Sequence, residues 1–472
     1  MIYKKVKRKE FIMLKRVLQT KTKTKTKART HRTRPRQYVA KLSKIGHIYK
    51  VCGFVHRIRD HGKIIFVEVR DITGIIQVVF EKSALSETEF KKARQLTKES
   101  VICVKGVLQK PAARLSRYLH TYELFGQKLV VHSKSQAPLP LEPFSSIKVK
   151  SKKRFDYRFL DLREPKKRLI FKIWTELEKA FTTFAIEHGF IQIHTPKIMP
   201  VASEGEDELF YLDYFGKKAY LAQSAQFYKQ MAMGAGFEKV FQIGPVFRAT
   251  KSFTTRHDTE FTQYDIEMSF VDYKDLMKFE EKMLVFIMKH LKTTYGQEIK
   301  KHYKTEVVVP KLPFPRIKLS QAKELLKQEK IQHRKPGDLS PEEEKVLAKI
   351  VKQKYGHEFV FVTHYPKEKR AFYHAPEPKK PKYAAGYDLL YKGLEITTGS
   401  TREHRYKYLI KYAKQKGVDI KSIAFYLEFF KYGMPPHGGF GFGPSRFIKQ
   451  LLDLPHVKEA TYLPRMVNRL MP

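Results

Sequence analysis

Residues 247–267 read Phe-Arg-Ala-Thr-Lys-Ser-Phe-Thr-Thr-Arg-His-Asp-Thr-Glu-Phe-Thr-Gln-Tyr-Asp-Ile-Glu. A strand-like end at Phe247-Arg248 gives way to a loop, Ala249–Thr259, holding Lys251, Arg256 and His257, and the chain returns as a second strand from Glu260 to Glu267. A hairpin tipped with cations suits a triphosphate, because guanidinium groups donate forked, charge-assisted hydrogen bonds to phosphate oxygens. Working outward, Val240–Arg248, Glu260–Phe270, Tyr387–Tyr391, Leu394–Thr397 and Phe440–Phe442 are strand-like, but helices do not alternate with them as a parallel sheet requires. The expected fold is therefore α+β, with an antiparallel sheet flanked by helices. Pro165–His188 predicts a long amphipathic helix, with Leu169, Ile173, Leu177, Ala180, Phe181 and Phe184 on one side and Gly189 as its stop. Phe190–Ile193 follows as a strand, ended by Pro196. Residues 319–356 predict two charged helices around Lys335-Pro-Gly-Asp338, a peripheral insertion with no chemistry assigned to it.

Upstream, the pattern is one of short strands: Ile48–Ile58, Ile64–Asp71, Ile75–Phe80, Val101–Leu108 and Tyr122–Val131, with a polar helix, Ser86–Thr97, after the third. Five strands with that insertion predict an OB-fold β-barrel, a fold that presents a sheet face to single-stranded nucleic acid. Phe66 and Gln77 are candidates for that face, one to stack a base and one to bond its edge, although a strand Phe is more often core. The Pro-containing run from Gln136 to Pro143 can continue neither sheet nor helix. The expected organisation is a basic extension over 1–37, an OB domain over 38–133, a linker over 134–154 and the α+β domain over 155–472.

The 472 residues carry 93 Lys and Arg against 48 Asp and Glu, a formal charge of +45 that requires an acidic partner. Residues 1–37 hold nine Lys and six Arg against Glu10 alone, in a stretch with no apolar face to bury. They predict a disordered polyanion-binding arm, with a solubilising tail or a transit peptide as the alternatives and Met13 as a second candidate start. No apolar run approaches the roughly 18 to 20 residues of a membrane span. Cys52 and Cys103 are the only cysteines, too few for a disulfide framework and without zinc-ligand spacing, which makes a reducing cytoplasm the default.

Two further signals fall in the α+β domain. Gly438-Gly-Phe-Gly-Phe-Gly443 is followed by Arg446 at a helix start, where glycines admit a flat ligand and the guanidinium adds charge; no Gly-Lys-Ser/Thr follows, so it is not a Walker loop. Asp388 and Glu395, on neighbouring strands, suit magnesium rather than zinc, although such a pair alone is more often a solvated surface.

Taken in order, these segments resemble the class IIb aminoacyl-tRNA synthetases, closest to aspartyl-tRNA synthetases of the archaeal and eukaryotic type, from about residue 40 to Pro472. Arg158-Phe-Leu-Asp-Leu-Arg163 and the helix-strand-Pro196 segment are similar to the first class II motif, which in the family builds the homodimer interface. Phe247–Glu267 is similar to the second motif, Gly439–Gly443 with Arg446 to the third, and Arg465 and Arg469 to the closing segment. The resemblance implies that ATP is held by Arg248 on its α-phosphate, by His257, Arg256 and Arg446 on the outer phosphates, by Phe261 stacked on adenine, and by Gly443. Arg248 and Arg446 carry the catalysis in that reading. It implies Mg²⁺ on Asp388, Glu395 and the Thr398 hydroxyl. It places the amino acid among Ser203, Glu204, Gln226, Lys229, Gln263, Asp265 and Arg402, with Lys229 and Arg402 on a side-chain carboxylate, and gives the anticodon contacts to Phe66 and Gln77. The implied partners are ATP, L-aspartate and tRNA(Asp), with tRNA(Asn) left open. Asparaginyl ligation is the alternative activity, and a non-catalytic RNA-binding paralogue is the alternative of a different class. Thr250 and Ser445 stand where the family usually has acidic residues, and Thr401 and Met466 replace commoner polar or acidic ones. From Thr250 alone, weakened ATP binding and poor rejection of GTP are expected.

Overall fold

Val51, Val55, Ile65, Val67, Val69, Ile76, Val78, Ile102, Val104 and Leu124 alternate with polar residues and turn inward together, as β-branched and aliphatic side chains do when a sheet closes on itself. In the computed structural model of the protein, which describes residues 35–111, 122–145, 147–203, 208–251, 254–331 and 335–471, they fill a closed barrel. Its strands are β1 (Ile48–Asp60), β2 (Ile64–Arg70), β3 (Ile75–Glu81), β4 (Val101–Gln109) and β5 (Glu123–Ser133), joined in the order β1-β2-β3-β5-β4. Helix α1 (Glu87–Arg94) begins at Ser86, whose side chain accepts from the Glu89 amide at 3.2 Å, and buries Phe90 and Ala93. The cysteines need correction. Cys52 and Cys103 are direct partners in the β1–β4 ladder, their Cα atoms 4.0 Å apart, and they form one disulfide. Two cysteines are too few for a framework, but register places this pair on one face of adjacent strands.

The chain divides into two compact units between Pro140 and Leu141. Within the second, a helix at Ser151–Asp156 begins inside the segment read as linker. The long helix α2 (Pro165–Glu187) starts at a proline, which lacks only an amide that the first turn leaves unpaired. The sheet comprises β6 (Ile191–Gln192), β7 (Lys239–Phe247), β8 (Glu260–Ser269), β9 (Arg316–Lys318), β10 (Phe359–Thr363), β11 (Gly386–Tyr391), β12 (Leu394–Thr401) and β13 (His437–Phe442), in the order β9-β10-β11-β12-β13-β8-β7-β6. It is antiparallel except at its margins, where β6 pairs parallel to β7 and β9 parallel to β10. Helices α3 (Gln226–Gly234), α4 (Tyr273–Tyr303), α5 (Leu319–Gln328), α6 (Pro341–Tyr355) and α7 (Pro444–Leu451) complete the frame. Among the described residues no helix is long and apolar enough to cross a membrane.

Strand β8 separates core from site by its period of two. Tyr264, Ile266 and Met268 enter the main core, where Phe181 of α2 packs on Phe241 and Tyr264. Gln263, Asp265 and Glu267 point the other way. The two helices of the insertion exist as expected, but they bury Leu326, Leu347 and Val351 against Val360, Val362 and Leu390 of the sheet, and this fixes α6 beside the site.

Behind the sheet, Glu280 of α4 is fully buried and accepts a 2.8 Å hydrogen bond from the Tyr387 hydroxyl. Burial pushes its carboxyl up to about 8. A raised folded-state value favours folding while the carboxyl is protonated: below the unfolded value near 4.5 that stability is fully present, and it is lost as pH rises to about 8. Glu280→Gln should therefore flatten the fall in thermal stability between pH 5 and 8, with a gain at pH 8 on the order of a few kcal/mol. Parallel melting curves for the two proteins at both pH values would refute this.

Candidate active site

A cavity of about 720 Å3 opens on the β8–β12–β13 face of the second unit. At its inner end lies a buried charge cluster. Lys229 of α3 reaches Asp265 Oδ1 at 3.0 Å and Glu267 Oε2 at 3.3 Å, and its side chain is only 3% exposed. Arg402 donates from Nε and Nη2 to the same Glu267 at 2.9 and 3.3 Å, from Nη1 to Ser400 Oγ at 2.7 Å, and from Nη2 to the Gly439 carbonyl at 3.0 Å. Burial raises the Glu267 carboxyl, but Arg402 and Lys229 together outweigh it and hold it below the usual range. Among the described residues, Asp265 Oδ2, Gln263 Oε1 and Gln226 Nε2 are buried without partners. Unpaired buried groups are costly, so a polar ligand that satisfies them binds with that penalty relieved. Ser203 shares a 3.2 Å hydrogen bond with Ser224 at the wall; Glu204 lies outside the described residues.

Of the glycines of β13, Gly441 lines the cavity and Gly439 packs against Glu267. A Cβ on Gly439 would collide with the Glu267 carboxylate, and one on Gly441 with the Gln263 amide. The glycine run therefore admits the polar side chains of β8 as much as it admits any ligand.

The outer end is cationic. Arg248 stacks over the Phe261 ring with its guanidinium carbon 5.7 Å from the centroid, and Arg446, just beyond Gly443 on α7, donates to the Glu395 carbonyl and to Glu395 Oε1, both at 3.1 Å. Among the described residues, the Nε atoms of Arg248 and Arg256 are buried without acceptors. His257 accepts or donates to Thr254 Oγ1 at 2.6 Å; burial, then the guanidiniums of Arg446, Arg256 and Arg248, pull it down to about 4, so the imidazole is neutral at pH 7. Of the three guanidiniums at this end, Arg446 is paired with Glu395 and Arg256 with Glu344, and their remaining donors, with those of Arg248, are available to an entering anion. Asp388 and Glu395 face each other through Thr398, whose hydroxyl lies 2.8 Å from Asp388 Oδ1 and 3.4 Å from Glu395 Oε1. Arg370 holds Asp388 at 2.7 Å, and Arg446 holds Glu395 at 3.1 Å. Burial, reinforced by Glu395, raises the Asp388 carboxyl, while Glu395 stays low despite burial because of Arg446, Arg256 and Arg370. Among the described residues no three His, Cys, Asp or Glu cluster as a closed metal cage. Two carboxylates and a hydroxyl, all oxygen donors, still fit Mg²⁺, which takes one or two protein carboxylates and completes its shell with phosphates and water.

In the other unit, Phe66 lies on the outer barrel face, under the Arg59 guanidinium at 5.4 Å, with His61 at its edge at 5.8 Å. Gln77 sits on the same face, bonded to Arg59 and Glu123. Phe66 is thus not the core residue that a strand Phe usually is.

Every described candidate of the second unit lines this cavity except Asp388, which is tied to it through Thr398 and Arg370, and three others, Glu267, Glu344 and Arg370, join them. Glu267 follows Gln263 and Asp265 at the same period of two, a signal present in the sequence. Glu344 has no local signal: it comes from the insertion, pairs with Arg256 at 2.7 and 2.9 Å and accepts from the Glu395 amide at 3.2 Å, and burial raises it to about 7. The insertion is thus not free of chemistry, because its buried face turns α6 toward the cavity.

Residues 150–467 match the family of class II tRNA synthetases for D, K and N, and residues 49–131 match the OB-fold nucleic acid binding domain. The chain belongs to the class II tRNA synthetases. Among its relatives, the aspartate–tRNA(Asp) ligase of Pyrococcus horikoshii is 40% identical over 429 residues, covering 90% of this chain and 97% of that one. The aspartate–tRNA(Asp/Asn) ligase of Aeropyrum pernix is 39% identical over 440 residues, covering 92% and 97%. The crystal structure of asparaginyl-tRNA synthetase from Pyrococcus horikoshii complexed with asparaginyl-adenylate superimposes with a TM-score of 0.83 at 31% identity, covering 93% of this chain and all of that one.

Proposed function

We propose that this enzyme is an aspartate–tRNA ligase that joins L-aspartate to AMP from ATP, releases pyrophosphate, and transfers the aspartyl group to the 3′ end of tRNA(Asp). The observation that carries the reading is the juxtaposition of two buried cations, Lys229 and Arg402, with the unpartnered acceptors Asp265 Oδ2 and Gln263 Oε1. An amino acid whose ammonium takes Asp265 Oδ2 and Gln263 Oε1 and whose side-chain carboxylate reaches Lys229 and Arg402 complements that set; both cations are paired with Asp265 and Glu267 already, so what aspartate adds over an amide is the charge-assisted strength of its bonds to them. The α-carboxylate then points to the cationic end. Arg248 holds the α-phosphate, while Arg256, His257 and Arg446 hold the outer phosphates and Phe261 stacks on the base. The carboxylate attacks the α-phosphorus in line, and positioning with charge neutralisation supplies the catalysis, so no general base is needed. Mg²⁺ on Asp388, Glu395 and Thr398 would neutralise phosphate charge. A neutral His257 adds a hydrogen bond rather than a further charge.

The outer barrel face with the half-buried Phe66 and with Gln77, whose amide is bonded to Arg59 and Glu123, supports anticodon contact, and the basic composition of residues 1–37, of which 1–34 lie outside the described residues, supports general tRNA affinity. Ile186 near the end of α2 and Ile191 on β6, exposed apolar residues five positions apart, support a homodimer built there. Cytoplasmic residence belongs to the same proposal and rests on the tRNA substrate alone, because the Cys52–Cys103 disulfide removes the support drawn from the cysteines. Whether tRNA(Asn) is a second acceptor is decided by charging both transcripts. The test of the activity is ATP–pyrophosphate exchange: aspartate should support it without tRNA and asparagine should not. Equal rates with asparagine would turn the assignment to the amide, the direction in which the likeness to asparaginyl-tRNA synthetase points.

A further inference from the structure

Thr250 is two residues beyond Arg248 and lines the same cavity as Phe261. Its hydroxyl donates to Glu208 Oε2 at 2.8 Å. Two more bonds fix Glu208 to this spot, since its carbonyl accepts from the Ala249 amide at 3.0 Å and from Gln223 Nε2 at 3.4 Å. Glu208 is half-buried, and among the described residues its Oε1 has no hydrogen-bond partner. The threonine proton is thus committed to a carboxylate whose second oxygen is unused.

We propose that Glu208, positioned by Thr250, reads the exocyclic amino group of the purine and so selects ATP over GTP. The proposal rests on the reading of this cavity as the ATP site. With the base stacked on Phe261, the edge nearest residue 250 meets an acceptor-only group. Adenine presents an amino donor at C6, which a carboxylate accepts. Guanine presents a carbonyl there, and two acceptors facing each other without a proton repel. A residue at position 250 long enough to reach the base would need its own carboxylate; here a short hydroxyl tethers the carboxylate of a different segment. The expectation of poor GTP rejection, drawn from residue 250 alone, is therefore reversed. A glutamate introduced at 250 would stand against Glu208 and repel it.

The experiment is aspartate-dependent pyrophosphate exchange by the full chain with ATP, GTP and purine riboside triphosphate, which lacks the amino group. Wild type should prefer ATP to purine riboside triphosphate by about tenfold or more in kcat/KM, the effect of one hydrogen bond to a charged group, and should reject GTP more strongly. Glu208→Ala should erase the preference over purine riboside triphosphate, and Glu208→Gln, whose amide can donate, should admit GTP. Both changes should act on the nucleotide KM and leave the KM for aspartate unchanged. Thr250→Val should move the ratios the same way by less, which keeps the test alive if a Glu208 variant folds poorly. Thr250→Glu should weaken ATP. Unchanged base ratios in Glu208→Ala and Thr250→Val, or tighter ATP in Thr250→Glu, would overturn the assignment. Absence of any exchange in wild type would instead overturn the functional reading, and calorimetric titration of the same three nucleotides then decides the role of Glu208 without turnover.

Discussion

Lys229→Met should abolish aspartate-dependent exchange, lowering kcat/KM for aspartate by about a hundred- to a thousandfold, while the KM for ATP changes little. The magnitude follows from burial. Lys229 is enclosed with Asp265 and Glu267, and removing one member of a buried charge set costs about 3 to 5 kcal/mol because the remaining charges stay desolvated. Each 1.4 kcal/mol or so is a factor of ten. Part of this loss falls on the folded state rather than on substrate, since both carboxylates lose a counterion. Melting separates the two. Arg402 still neutralises Glu267 in the variant, so the protein should fold with a reduced Tm. Arg402→Met should cost more stability, because four hydrogen bonds from the guanidinium vanish at once. If Lys229→Met retains aspartate exchange within a factor of ten, then Arg402 alone reads the side chain and the case against asparagine weakens with it.

How far the site was legible in the sequence depended on range. Contacts made along one element, or between elements a short loop apart, followed from local pattern. The cationic loop 249–259 and the alternation that puts Gln263 and Asp265 on one face of β8 needed only the hairpin that joins β7 to β8. The same alternation includes Glu267, and its role was missed because a glutamate at a strand end is usually solvated; only the register of β8 with β13 shows it beneath Arg402. Glu344 was beyond reach of any local pattern. It meets Arg256 across 88 residues, and that meeting depends on how Leu347 and Val351 seat α6 on the sheet. Arg370, the counterion of Asp388, is of the same kind. Cys52 and Cys103 show the converse, since the strands were foreseen and only their one-residue register decides whether the two sulfurs share a face. The OB barrel, with its hydrophobic alternation, was legible strand by strand.

Glu395→Gln should reduce exchange by about a hundredfold or more and raise the Mg²⁺ concentration needed for half-maximal rate. Glu395 is half-buried among guanidiniums, and Arg446, Arg256 and Arg370 hold it ionised against the pull of desolvation. Neutralising it removes the negative charge that offsets Arg446, and also one of the two carboxylates fitted to the cation. The two losses differ in what restores them. If Glu395 serves the cation, excess Mg²⁺ recovers part of the rate in Glu395→Gln, and Asp388→Asn behaves alike, while Thr398→Ala, which removes only a neutral oxygen, costs less. If Glu395 serves only to anchor Arg446, Mg²⁺ recovers nothing and Asp388→Asn leaves the metal requirement at its wild-type value. Asp388 is the sharper probe: its ion-pair partner is Arg370 at 2.7 Å and that of Glu395 is Arg446 at 3.1 Å, so displacement of Arg446 alone would not give both variants the same Mg²⁺ phenotype.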